Sequence, residues 1–210
     1  MIPRLGFLAA FLLIAGCGRG PSGPSIVVRD DAQYNRALAE ARALSEVHVK
    51  SFAVGASLQE ADLADLRKAA QLFDALIDYK PTFFALHFGS GQIEHALGNT
   101  SRARQRFLQS IELAPRPESV ETMVIVADAH FGLSQLDFLN RDYAGAERRI
   151  RESLERFPDN ASYWAALASI QIERRELAAA RTSIDRSLRL DPDQPTANRL
   201  RRLLAFQRLR

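Results

Sequence analysis

From Asp30 onward the apolar residues recur with the period of an α-helix. Tyr34, Ala37, Leu38, Ala41 and Leu44 fall on one face, behind an Asp30 that can cap the helix together with Gln33 three residues on. The stretch VKSFAVGAS (49–57) weakens this periodicity. Ser57 and Glu60 then form a capping-box pattern that opens a second helical run through Tyr79. No segment sustains the alternation of period two that a half-buried strand requires, so the pattern predicts an all-α chain.

The helical pattern also repeats itself. RKAAQLFDALIDYKP, SRARQRFLQSIELAP, AGAERRIRESLERFP and LAAARTSIDRSLRLDP share one grammar. Ala69, Ala103, Ala146 and Ala180 are followed four residues later by Phe73, Phe107, Ile150 and Ile184, and each segment ends on Pro81, Pro115, Pro158 or Pro192. The alanines are spaced by 34, 43 and 34 residues, and Gly91, Ser134 and Ala168 lie 12 residues before the last three. Small residues at both places let two helices approach closely. The proline stops the second helix, because it has no N–H to continue the ladder. A period near 34 with this punctuation predicts a pair of antiparallel helices, A and B, in each repeat.

These features resemble the tetratricopeptide repeat family over residues 84–194, with a preceding half-repeat from about 62. The last unit carries Trp164, Leu167, Ala168, Ala180 and Pro192 in family register. The first full unit departs from it, with His87, Ser90 and Glu94 where Trp, Leu and Tyr are usual. Nine extra residues after Pro115, around RPESVETMV, lengthen the next helix A or its loop. The resemblance implies a helix-turn-helix superhelix of about three full repeats at 81–194. An N-terminal helical region including the half-repeat (30–80) precedes them, and a capping helix (195–210) covers the last repeat.

Ahead of the helical part lies a short export signal. Met1 to Arg4 is a positive start, Leu5 to Ala15 an apolar run too short to span a bilayer, and Ala15 and Gly16 are small residues before Cys17. Ile14-Ala15-Gly16-Cys17 resembles the bacterial lipobox. That resemblance implies cleavage of residues 1–16 and lipid attachment at Cys17, the only cysteine in the chain. Gly18 in place of Asp implies the outer membrane, facing the periplasm, by the rule of enteric lipoproteins. Residues 17–29, rich in Gly, Pro and Ser at their start, read as a flexible tether.

Composition changes this picture little. With 47% hydrophobic and 25% charged residues the chain is globular in type, and a single thiol excludes an internal disulfide. The formal charge is +3, with 25 arginines against three lysines, most of them alternating with acids on solvated helix faces. The exception is Asn198–Arg210, where Arg199, Arg201, Arg202, Arg208 and Arg210 have no acid among them. That segment suits a capping helix with a cationic outer side, or contact with an acidic partner or anionic lipid. A nucleic-acid partner is not expected for an exported chain.

No catalytic, cofactor or metal site is expected. Ser90 in FGSGQ lacks the G-x-S-x-G spacing of a nucleophile. His48, His87, His95 and His130 lack metal-ligand spacing, and His87 and His130 occupy the repeat position of Trp164, which predicts packing. The paired acids Asp30 and Asp31 read as caps or solvated charge, and no glycine loop could cradle a phosphate.

The informative surface is the inner one. In family register the groove-facing residues are Phe88, Gln92 and His95, then Phe131, Gln135 and Phe138, then Ala165, Ser169 and Ile172. Phe/Gln pairs suit a partly apolar peptide or helix, and they do not match the Lys/Asn clamp by which chaperone-binding members hold a carboxylate. Two arrangements fit this lining: an open groove for a protein partner, or residues 31–60 folded into it as core. The expected role is a non-enzymatic interaction scaffold in the bacterial envelope. Self-association of two copies through their terminal helices is the alternative.

Overall fold

The structure, a computed structural model, describes residues 26–53, 57–116 and 119–206, with the side chains of Ala53 and Phe206 left aside. The export signal, Cys17, the start of the tether and the arginines at 208 and 210 lie outside the described residues. The described residues form nine helices and no strand: α1 Asp31–Ala53, α2 Glu60–Tyr79, α3 Phe84–Ala96, α4 Thr100–Leu113, α5 Val120–Leu139, α6 Tyr143–Arg156, α7 Ala161–Glu173, α8 Leu177–Leu190 and α9 Pro195–Phe206.

Consecutive helices pair as antiparallel hairpins, α1 with α2, α3 with α4, α5 with α6 and α7 with α8. The first hairpin's register is written in its ion pairs: Lys80–Asp31 at 3.0 Å, Lys68–Glu40 at 2.7 Å and His48–Asp62 at 3.3 Å. The odd-numbered helices pack on one another in series, whereas the backbones of α2, α4, α6 and α8 stand apart, α2 and α4 meeting through the side chains of Arg102 and Arg106, which reach Asp74 at 2.9 and 2.7 Å. The odd-numbered helices therefore form the shorter, concave side of the array, and the others its convex side.

Shape complementarity between hairpins centres on Phe107, which is 1% exposed. A Cβ placed on Gly91 of α3 would lie 2.8 Å from its ring, and one on Gly132 of α5 would lie 2.6 Å from it. The ring is thus wedged between two inner helices that can close on it only because both are bare there. Phe73 sits in the same way against Gly89, whose added Cβ would come within 2.7 Å.

Polar braces repeat with the same register. Ser153 Oγ donates to the Ala127 carbonyl at 2.8 Å, and Ser187 Oγ to the Ala161 carbonyl at 2.7 Å, each joining the end of a helix B to its helix A. A second brace runs from the fourth residue of the register to a proline carbonyl. His87 Nε2 and Trp164 Nε1 reach Pro81 and Pro158 at 2.7 Å, and Asn198 Nδ2 reaches Pro192 at 2.8 Å. The A–B turns place Gly98, Arg141 and Arg175 at φ of 78°, 62° and 64°. The next residue's N–H then closes back on the carbonyl five earlier. Glycine takes this left-handed conformation freely, while the two arginines accept a cost of roughly 1–2 kcal/mol each.

Two local expectations are corrected, and a third, left between two alternatives, is resolved. Helix α1 runs on through VKSFA to Ala53, because Phe52 finds a packing partner in His95, their rings 5.1 Å apart edge to face. The second helix opens at Gln59, not Ser57: the Gln59 N–H donates to Asp62 Oδ2 at 2.7 Å. The nine extra residues lengthen helix A, since α5 starts at Val120, with the Thr122 N–H donating to Ser119 Oγ at 3.2 Å, about two turns before the repeat register.

Gly132→Ala is expected to destabilise the fold by about 1–3 kcal/mol in thermal or urea unfolding. Because the new methyl meets the ring of Phe107, the double variant with Phe107→Leu should lose less than the two single changes summed. Additive losses would place the two residues out of contact.

Candidate functional site

On the concave face, Phe88 and Gln92 stand one turn apart on α3, and Phe131 and Gln135 repeat them on α5. The Phe88 ring lies 6.1 Å from that of Phe107, and the Phe131 ring 5.3 Å from that of Tyr163, so each phenylalanine is held by the core and only half-buried. Gln92 and Gln135 are half-buried as well, and no hydrogen bond engages either amide among the described residues. A carboxamide both donates and accepts, so it can answer both sides of a peptide group. Beside Phe88 and Gln92 a cleft of about 450 Å³ opens between α1, α3 and the start of α5, floored by apolar residues that include Leu38, Val49, Phe83 and Ile125.

The remaining predicted residues are placed differently. His95 is 8% exposed beneath Phe52, and belongs to the core. Burial holds its imidazole down at about 4, so it is neutral at pH 7. Phe138 is half-buried, its ring edge-on to Tyr143 at 5.5 Å, in the cluster that joins α5, α6 and α7. Ala165 and Ile172 pack in the cluster completed by Leu200 and Leu204 of α9, so the capping helix covers that end of the groove. Ser169 Oγ turns back to the Ala165 carbonyl at 3.1 Å.

Helix α1 does not fill the groove. Helix α1 stands beside α3 as the first inner helix, packing on α2 and α3 and reaching neither α5 nor α7. It closes over His95 through Phe52 and leaves Phe88, Gln92, Phe131 and Gln135 half-buried.

Of the residues weighed for chemistry, Ser90, His130 and His48 lie on different helices. Ser90 is buried with no hydrogen-bond partner for its hydroxyl, so no base activates it. His130 is buried with its Nδ1 against the Glu152 carboxylate, and His48 sits between Asp62 and Asp65 on the α1–α2 hairpin. Among the described residues no group of three or more His, Cys, Asp or Glu has a metal-binding arrangement.

One feature of the concave face escaped the sequence pattern. The Tyr163 hydroxyl donates to Asp128 Oδ1 at 2.5 Å, tying α7 to α5. Burial pushes the Asp128 carboxyl above the ordinary carboxylate range, and the Tyr163 phenol is raised by burial and by the neighbouring carboxylate. Val120 and Val124, 74% and 42% exposed, precede Asp128 by whole turns. That i, i+4, i+8 spacing is the signal in the sequence that marks the lengthened start of α5 as part of the concave face.

A family model for the tetratricopeptide repeat matches residues 54–119 and 131–195. The chain belongs to the tetratricopeptide repeat family. Among solved structures, the crystal structure of MamA is 14% identical and covers 65% of this chain and 77% of its own, with a TM-score of 0.50. A double mutant of MamA RS-1 is 12% identical, covers 79% and 86%, and has the same TM-score. At these identities the likeness is one of fold. No curated protein matches the chain. Tetratricopeptide arrays are protein–protein interaction scaffolds that hold peptide or protein partners.

His95 gives the array a predictable response to acid. The native state keeps the ring neutral at pH values where the unfolded chain binds a proton, so its contribution is whole above about pH 6.5 and is lost as pH falls towards 4. Between those limits wild-type stability should fall by up to about 3 kcal/mol more than that of His95→Phe, measured by urea unfolding. Parallel curves would contradict the burial of this ring.

Proposed function

We propose that this protein is a lipid-anchored, non-enzymatic docking scaffold of the bacterial cell envelope, held at the outer membrane through Cys17 and facing the periplasm. The observation that carries the docking role is the pair of uncovered amides, Gln92 and Gln135, each above a core-held phenylalanine at equivalent positions of adjacent inner helices. Rigid aromatic surface with adaptable hydrogen bonding beside it suits a partly apolar protein segment. The anchor reading rests on Ile14-Ala15-Gly16-Cys17 and on the placement of the sole thiol outside the repeats. No helix among the described residues is long and apolar enough to cross a membrane. In this reading lipid on Cys17 supplies the attachment, and the Gly/Pro/Ser-rich tether lets the array turn towards its partner.

The test combines both parts in one strain. With a photo-crosslinking residue at Gln92 or Gln135, the full chain should capture an envelope protein and fractionate with membranes. The same chain carrying Cys17→Ala should move to the soluble fraction. Unchanged fractionation would overturn the anchor, and crosslinks only within the same chain would overturn the open groove.

A further inference from the structure

From α3 to α8 the basic charges of this array are sorted by layer. The inner helices α3, α5 and α7 contain no lysine or arginine, and their acids are Glu94, Glu121, Asp128, Asp137 and Glu173. The outer helices α4, α6 and α8 carry three, four and three arginines respectively, and α9 carries three more. Two inner acids are neutralised from the outer layer: Arg102 meets Glu94 at 3.2 Å and Arg104 meets Asp137 at 2.6 Å. The other three have no ion pair among the described residues. Glu121 is exposed at the edge of the cleft. Asp128 is bonded only to the Tyr163 hydroxyl, and Glu173 accepts from the Tyr143 hydroxyl at 3.3 Å.

We infer that the concave face takes a basic, apolar protein segment, whose lysines or arginines meet Glu121, Asp128 and Glu173 while its apolar side chains pack on Phe88, Val124 and Ile125. This inference rests on the docking role proposed above and adds the chemistry of the partner. Val124 is 42% exposed and Phe88 and Ile125 half-exposed, so the apolar part of the face is open, and the unpaired acids on the same helices decide what covers it. The elevated carboxyl of Asp128 agrees with a buried acid lacking a cation. Arg42 and Lys50 border the cleft on the α1 side, with Lys50 bound to Glu46 at 2.6 Å, while helices α5 and α7 themselves carry no lysine or arginine. The preference is opposite to the one the whole molecule would show. At a formal charge of +3, with arginines over its convex side, the protein attracts acidic ligands non-specifically.

The test uses the full chain and two amphipathic model peptides, one of leucine and lysine, the other of leucine and glutamate, with binding read by fluorescence anisotropy. The Leu/Lys peptide should bind preferentially. Replacing Glu121 and Glu173 by Gln together should weaken it about fivefold, as expected for two partly exposed charge pairs, with Glu112→Gln on the outer helix α4 as an unaffected control. Val124→Asp, at an exposed site where folding is not at stake, should weaken it further. Preference for the Leu/Glu peptide, with the same loss on Val124→Asp, would overturn the charge inference while keeping the groove as the docking face. Binding of the Leu/Lys peptide that ignores all these substitutions, or binding of neither peptide, would overturn the inference. The open groove itself stands or falls on the crosslinks from Gln92 and Gln135.

Discussion

The array depends on one packing constraint, the Phe107 ring held between Gly91 and Gly132. Two bare backbones let α3 and α5 close on a single aromatic side chain, and that closeness fixes how α5 sits beside α3. The partners change along the chain in a compensating way. Phe73 meets Gly89, whereas the smaller Ile150 shares its cluster with Ala166, and Ile184 shares its own with Leu200 of the capping helix. Bulk on the outer helix and bareness on the next inner helix vary together. Because the wedge is rigid, Phe88 with Gln92 and Phe131 with Gln135 are presented as two copies of one surface.

Polar residues are used in two distinct ways around this framework. Within the layers they are satisfied locally, by serine-to-carbonyl braces, by side chains donating to proline carbonyls, and by arginines of the outer layer reaching the buried Glu94 and Asp137. On the concave face they are left unanswered: the amides of Gln92 and Gln135 and the carboxylate of Glu121 have no partner among the described residues. Buried polar groups that lack partners are costly, and half-exposed ones are not, so this face can keep them free for a ligand at little expense to stability. The division follows the architecture, since the convex helices face water on their own and the concave ones are the side a partner can enter.

Much of this was legible in the residues. The four alanines and their following Phe or Ile, the terminating prolines and the period near 34 give the hairpins, because small–large packing and chain termination are local and periodic. The position shared by His87, His130 and Trp164 announces packing, and two of the three reach a proline carbonyl. His130 cannot, since the lengthened α5 puts helix where that turn would be, and it turns to Glu152 instead. What periodicity missed depends on tertiary neighbours. It placed His95 in the groove, but Phe52 packs over it, and the sequence signals of VKSFAVGAS are too weak to carry α1 as far as Phe52. The tie between Asp128 and Tyr163 spans 35 residues and leaves no local trace. The absence of Lys and Arg from α3, α5 and α7 is written in the sequence, yet it becomes a statement about one surface only once the helices are sorted into layers.

The central claim is that binding happens on the inner layer, and hydrogen–deuterium exchange of the full chain reads that layer directly. With the Leu/Lys peptide bound, exchange should slow along 84–96 and 120–139, with α4, α6 and α8 unchanged, since the ligand touches only the inner helices. Protection confined to the arginine-rich outer helices or to α9 would contradict the account, because it would place the ligand on the convex or terminal surface and leave the Phe/Gln face without a role.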